Sequence, residues 1–115
     1  MNIKKCIAQA DELRPNTIPE EIKAGYLYKL EAEIAEMMGL EAPPLEWPSD
    51  NEMLMPFPHD DIYHLYLCAM IDYVNQETAL YANDMQMANA AIKDAKAWYR
   101  RHTKPNSKRN WRVMI

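Results

Sequence analysis

Apolar residues recur at helical spacing along most of this chain, and charged residues fill many of the positions between them. In residues 3–13 the apolar positions are Ile3, Cys6, Ile7 and Ala10. This spacing predicts a short helix with one buried face. Because a residue before proline is pushed out of the helical region, the helix is expected to end near Arg14.

A second helix has both a start signal and a stop signal. Thr17 and Glu20 are spaced as a capping box, and Pro19 between them suits a first helical turn. Gly39 is typical of a helix C-terminus. The apolar positions in between are Ile22, Tyr26, Leu30, Ile34 and Met37 or Met38. The glutamates of the same stretch are interpreted as a solvated surface: Glu31, Glu33 and Glu36.

Two further helices are predicted in the second half of the chain. Residues 62–74 are apolar almost all round, which indicates burial on more than one side, and His59-Asp60-Asp61 before them suits a helix cap. This helix is expected to continue past Glu77 and Tyr81. Asn83-Asp84 then caps a fourth helix, residues 85–102. Its inward positions are Ala88, Ala91, Ile92, Ala95, Trp98 and Tyr99.

Residues 39–58 differ in kind, because five prolines exclude a helix there while large apolar residues argue against a free linker. We interpret this segment as an extended arm or loop, with a possible short strand at residues 52–55. Its apolar side chains either cover their own core or contact a neighbouring subunit. The predicted subunit-contact residues are Leu45, Trp47, Met53, Leu54, Met55 and Phe57.

The fold expected from these segments is mainly α, a small bundle of about four helices over residues 1–103 with a C-terminal tail, residues 104–115. The 115 residues suit one domain. Nine methionines and eleven aromatic residues are many for this length, and both types are enriched at interface cores. No apolar run is long enough for a membrane span, and no signal peptide is recognised. The two cysteines, far apart, are expected to be reduced and buried.

Charge is distributed very unevenly along the chain. Residues 1–92 hold 5 Lys/Arg and 16 Asp/Glu, a balance of −11, whereas residues 93–115 hold 8 Lys/Arg and one Asp, a balance of +7. Such asymmetry suggests a basic tail with an acidic or nucleic-acid partner. The residues predicted to bind that partner are Arg100, Arg101, Lys104, Lys108, Arg109, Trp111 and Arg112.

The residue types needed for catalysis are not arranged for it. His59 and His64 are five residues apart and do not share a helix face as a metal-binding pair would. Cys68 lies in an apolar helix, where a thiol behaves as a small hydrophobe. Asp72 or Glu77, if buried, is either a carboxylate with a perturbed pKa or a group that pairs with Arg100 or binds a tyrosine hydroxyl. We therefore predict no enzyme activity, no metal and no cofactor.

Residues 55–104 resemble a known family. The similar proteins run Pro-x-Asp-x-x-Tyr, then an apolar helix with Ile-Asp, then Glu-x-x-x-Tyr-x-Asn and an aromatic-Arg ending. The matching positions here are Pro58-His59-Asp60-Asp61-Ile62-Tyr63 with the preceding Met55-Pro56-Phe57, Tyr66–Tyr73 with Ile71-Asp72, Glu77, Tyr81, Asn83, Asn89-Ala90-Ala91 and Trp98-Tyr99-Arg100-Arg101. This pattern is similar to the head-tail connector, or neck adaptor, proteins of long-tailed phages.

The resemblance implies a virion protein of the phage neck, made in the cytoplasm of the bacterial host. Such subunits form a homo-oligomeric ring, usually dodecameric, between the portal protein and the tail or other neck proteins. DNA passes through the ring, so non-specific contact with DNA is implied as well. The alternative is a nucleic-acid-binding phage protein, such as a terminase small subunit or a regulator. The acidic body argues against that alternative, because it repels DNA.

Overall fold

The computed structural model describes residues 1–42 and 46–103 of the chain. It contains four helices: α1 (Ile3–Leu13), α2 (Glu20–Met38), α3 (Asp61–Val74) and α4 (Thr78–Thr103). The prediction of a small, mainly helical bundle is confirmed. The strand considered at residues 52–55 is absent from this part of the chain, where Glu52 makes only an isolated antiparallel bridge to Asn2.

The predicted start of α2 is wrong in its detail, whereas its predicted end is confirmed. Pro19 occupies the cap position, and no side chain caps the helix there. The entry to α2 is instead organised by Asn16, whose side-chain oxygen accepts the Ile18 backbone N–H at 3.0 Å and the Lys23 ammonium at 3.1 Å. At the other end Gly39 adopts φ 75°, a left-handed conformation that glycine reaches without strain.

The boundary between α3 and α4 lies earlier than the sequence predicts. Helix α3 ends at Val74, a turn follows at Asn75-Gln76, and α4 begins at Thr78. Gln76 takes φ 60°, and the Glu77 backbone N–H closes the turn on the Asp72 carbonyl at 2.9 Å. The predicted capping of α4 by Asn83 and Asp84 is wrong, because both residues lie inside the helix. The Asp84 carboxylate binds Arg14 and not the backbone N–H groups of a helix start.

Helix α3 is central and packs against α4, α1 and α2. Its buried residues are Ile62, Tyr63, Leu67, Cys68, Ala69, Ile71 and Asp72. Helix α4 is 26 residues long, about 39 Å at 1.5 Å per residue. The inward face predicted for α4 is confirmed: Ala88 and Ala95 are buried, and Ala91, Ile92, Trp98 and Tyr99 are half-buried. No helix in residues 1–42 or 46–103 is long and apolar enough to cross a membrane.

Candidate interaction surfaces

The proline-rich segment is fixed to the bundle by a buried glutamate. Glu31, predicted to lie on a solvated surface, is only 1% exposed. Its Oε1 accepts the Tyr63 hydroxyl at 2.6 Å and its Oε2 accepts the Leu54 backbone N–H at 2.7 Å. The Tyr63 hydroxyl oxygen in turn accepts the Met55 backbone N–H at 2.9 Å. Burial raises the pKa of Glu31, while these two donors act in the opposite direction.

The same segment is also held by the start of the chain. The Ile3 N–H donates to the Asn51 carbonyl at 3.2 Å, and the Met53 N–H donates to the Met1 carbonyl at 3.0 Å. These bonds hold the second half of the segment against the bundle.

This anchoring decides which of the predicted arm residues face outward. Met53 and Met55 pack inside the subunit's own core, because the backbone bonds around them turn both side chains inward. Trp47 and Leu54 are half-buried against that core. Leu45 lies outside the residues that the structure describes. Among the described residues of the arm, Phe57 therefore offers a partner the largest apolar surface, since 84% of it is exposed.

Residues 57–60 form a turn before α3, which we call the Phe57 turn. An aromatic stack lies close to it, where the start of α3 meets the end of α4. The His59 ring lies over Trp98 with ring centroids 4.7 Å apart, and His102 stacks on Trp98 with centroids 5.2 Å apart. Asp60 occupies the predicted cap position of α3 and Asp61 lies in its first turn, but Asp60 makes no side-chain cap bond. The Asp60 carboxylate lies 3.4 Å from the Met1 amino group instead.

The basic end of α4 lies next to this stack. Arg100 and Arg101 are exposed in the last turn of α4, where cations are favoured by the helix dipole. The other predicted partner-binding residues of the tail lie outside the described residues: Lys104, Lys108, Arg109, Trp111 and Arg112.

Near the α3–α4 turn, far along α4 from that basic end, two aspartates share one arginine. Arg14 Nε lies 3.2 Å from Asp72 Oδ1, and Arg14 Nη2 donates to Asp84 Oδ2 at 2.8 Å. Asp72 therefore pairs with Arg14. The pairing with Arg100 that the sequence suggested is wrong. Arg14 is the first residue of the segment between α1 and α2. Its contacts hold this segment against both α3 and α4. Sequence spacing could not reveal this triad, because its members are separated by up to 70 residues.

Burial raises the pKa of Asp72 to about 6, and a hydrogen bond with the Asp84 carboxyl acts in the same direction. Burial opposes ionisation of Asp84 too, but the hydrogen bonds from Asp72 and Arg14 outweigh it and lower the Asp84 pKa. The two aspartates therefore hold one proton between them at mildly acidic pH, and Asp72 carries it. When Asp72 is ionised, its Oδ2 is a buried oxygen without a donor among the described residues.

Beside Asp72 is an open cavity of about 540 Å³, which we call the turn pocket. It is lined by Asp72, Tyr73, Gln76, Glu77, Thr78 and Tyr81. The Tyr73 and Tyr81 rings are 5.5 Å apart between centroids and are tilted by 53°. The turn pocket thus combines two aromatic rings with two carboxyl groups, and a cationic group suits this combination.

Large apolar side chains remain on the surface after the core is complete. They are between 41% and 84% exposed: Leu13, Ile22, Leu40, Phe57, Tyr73, Val74, Leu80 and Met87. Tyr73, Val74 and Leu80 flank the α3–α4 turn, and Phe57 lies at the opposite end of α3. The surface is therefore not uniformly polar, although the core of the subunit is complete.

Among residues 1–42 and 46–103, no three His, Cys, Asp or Glu side chains are arranged to hold a metal ion. Burial raises the pKa of the Cys6 thiol to about 12 and that of the Cys68 thiol to about 11, which keeps both thiols protonated at neutral pH.

A scan against protein-family models and searches of curated proteins and solved structures found no match for this chain.

Proposed function

We propose that this chain is a structural subunit of a phage virion, a head-tail connector that binds other protein subunits at the neck. The observation that carries the proposal is the Phe57 turn. A phenylalanine that is 84% exposed lies between Met55, which is fully buried, and the start of α3. Fixed neighbours reduce the conformational entropy that an exposed aromatic residue loses on binding, which is the property of an interface anchor.

The distribution of charge supports the same function. The subunit has an acidic body and a basic end, so two copies, or a copy and a portal subunit, attract each other when opposite ends meet. A contact between different faces of identical subunits is heterologous, and such contacts close into rings when the rotation between subunits allows it. The proposed partners are the portal protein and the tail or other neck proteins, and the proposed location is the virion neck.

Co-sedimentation with a phage portal protein tests the proposal. We expect the full-length chain to sediment with portal assemblies and Phe57→Ser to lose most of that binding. Leu40→Ser is the matched control, because Leu40 is also an exposed apolar residue, at 52%, but lies at the end of α2. Portal binding that is absent, or equally reduced by both substitutions, would contradict the proposal.

The second candidate function is nucleic-acid binding, which the basic end of α4 favours. Arg100 and Arg101 are exposed and continue into a chain end that brings the balance of residues 93–115 to +7. Phosphate contacts of this kind weaken steeply as salt concentration rises. A gel-shift assay at two salt concentrations separates the candidates, since tight low-salt binding that is lost on removing residues 103–115 favours the nucleic-acid function.

A further inference from the structure

The turn pocket and the basic end of α4 are chemically complementary. The turn pocket presents the Glu77 carboxylate with the rings of Tyr73 and Tyr81, a combination that holds a guanidinium or ammonium group by charge, hydrogen bonds and cation–π contact. Asp72 also lines the turn pocket, but it is 1% exposed and its Oδ1 is paired with Arg14. Glu77 is therefore the carboxylate that an incoming cation meets.

The geometry of α4 prevents Arg100 and Arg101 from occupying the turn pocket of their own subunit. Glu77 immediately precedes α4, and Arg100 lies 23 residues later, about 35 Å along the axis. An arginine side chain cannot span that distance.

We propose that the turn pocket binds Arg100 or Arg101, in the last turn of α4, of a second copy of this chain. The inference rests on the proposed function, because it names the neighbour that the basic end contacts in the assembled state. The contact is heterologous: the acidic pocket at the start of α4 in one copy meets the basic end of α4 in the next. Tyr73, at 62% exposed, and Leu80, at 41%, lie beside the turn pocket and add apolar area to the contact.

Sedimentation equilibrium of the full-length chain over a wide concentration range measures the self-association. We expect an association that weakens with salt, and a loss of affinity of about tenfold or more for Glu77→Lys, the size of one charge-assisted contact. Arg100→Glu/Arg101→Glu should weaken it comparably. Glu77→Gln keeps the shape of the side chain and should give a smaller loss. Circular dichroism of each variant confirms that it is folded.

Mixing the variants provides the sharpest test. The Glu77→Lys protein retains an intact basic end, and the Arg100→Glu/Arg101→Glu protein retains an intact turn pocket. A mixture of the two should recover association through the one remaining intact combination, whereas each protein alone associates only weakly. Glu36→Lys is the matched control, with the same charge reversal on an exposed position of α2. It should associate nearly as the unmodified chain does.

Three results would overturn the inference. One is a chain that stays monomeric at every concentration and salt, the second is equal weakening by Glu36→Lys and Glu77→Lys, and the third is a mixture that fails to recover association. Portal co-sedimentation that persists in any of these cases leaves the proposed function standing. Failure of portal co-sedimentation, together with intact self-association, would instead count against the proposed function alone.

Discussion

Asp72 near the end of α3 and Asp84 within α4 share the guanidinium of Arg14. Asp72 is 1% exposed and Asp84 is 8% exposed. Two buried carboxylates with a single cation are costly to ionise together, so Asp72 keeps its proton up to about pH 6. This arrangement determines how the stability of the subunit depends on pH.

We expect Asp72→Asn to remove a pH dependence from the free energy of unfolding. The groups that face Asp72 are Arg14, Asp84 and Cys68. The pKa of Asp72 is about 6 in the folded chain against 3.8 for the free group, so the folded state holds a proton that the unfolded state has released between these values. This group's contribution to stability is therefore full below about pH 4 and is lost as pH rises through 6. The loss is of the order of 3 kcal/mol.

Urea unfolding at pH 4.5 and pH 7.5 measures this effect. Asparagine can donate a hydrogen bond at both pH values, so Asp72→Asn should be at least as stable as the unmodified chain at pH 7.5. Asp94→Asn, on the exposed side of α4, makes the same chemical change as a control. A loss of stability for Asp72→Asn at pH 7.5 that equals its loss at pH 4.5 would refute the shared-proton account.

Arg14→Ala should destabilise the chain considerably at pH 7.5. The substitution leaves the two buried carboxyl groups without their cation, which costs about 2–4 kcal/mol for a pair that is partly accessible. Lys4→Ala serves as the control, because the Lys4–Asp50 ion pair is exposed at both partners. Its loss should be below about 1 kcal/mol. Chemical denaturation compares the two variants, and similar losses would show that Arg14 acts only as a surface residue.

Tyr63→Phe should loosen the proline-rich segment more than its small change in volume suggests. The hydroxyl joins Glu31 Oε1 to the Met55 N–H, so its removal leaves a buried acceptor and a buried donor without a partner. The expected loss is about 2–4 kcal/mol of unfolding free energy. Hydrogen exchange of the Leu54 and Met55 amides should accelerate selectively.

Tyr66→Phe is the control for that experiment, because Tyr66 is half-buried in the same helix and is not part of this network. Unchanged exchange at Met55 in Tyr63→Phe would argue against the anchoring role.

Two substitutions within the arm should have opposite effects on stability and on binding. Met55→Ala creates a cavity in the core and should cost about 2–5 kcal/mol of unfolding free energy. Phe57→Ser, two residues further on, should change stability by less than about 0.5 kcal/mol, because Phe57 is exposed. Thermal unfolding measures both. A large destabilisation by Phe57→Ser would mean that this side chain packs against its own subunit.

Part of the fold follows directly from local signals. The apolar spacing and the proline after Arg14 predict α1, and Gly39 predicts the end of α2, because both signals act on the backbone within a few residues. The inward face of α4 is predicted for the same reason. The α3–α4 boundary is missed, because the helical pattern continues through residues 75–77 and no glycine or proline marks the turn.

Periodicity also misassigned the charged residues that matter most. Glu31 was assigned to a solvated surface, and Lys23 follows the apolar Ile22 in the same helix as a charged residue typical of a surface. Both are buried, at 1% and 3% exposed. Each is buried because a distant partner satisfies it: Tyr63 and Leu54 for Glu31, and Asp11 for Lys23. A pattern of apolar and polar positions contains no information about such partners.

The sequence by itself determined the mainly helical class, the acidic body with its basic end, and the apolar character of the proline-rich segment. These are properties of local composition and spacing. Only the tertiary structure decided that Met55 is buried while Phe57 is exposed, that Asp72 and Asp84 share Arg14, and that Tyr73, Glu77 and Tyr81 form one pocket. The physical reason is that burial and charge pairing depend on which residues meet when helices pack, and contacts between residues far apart in the chain set the free energy of each group.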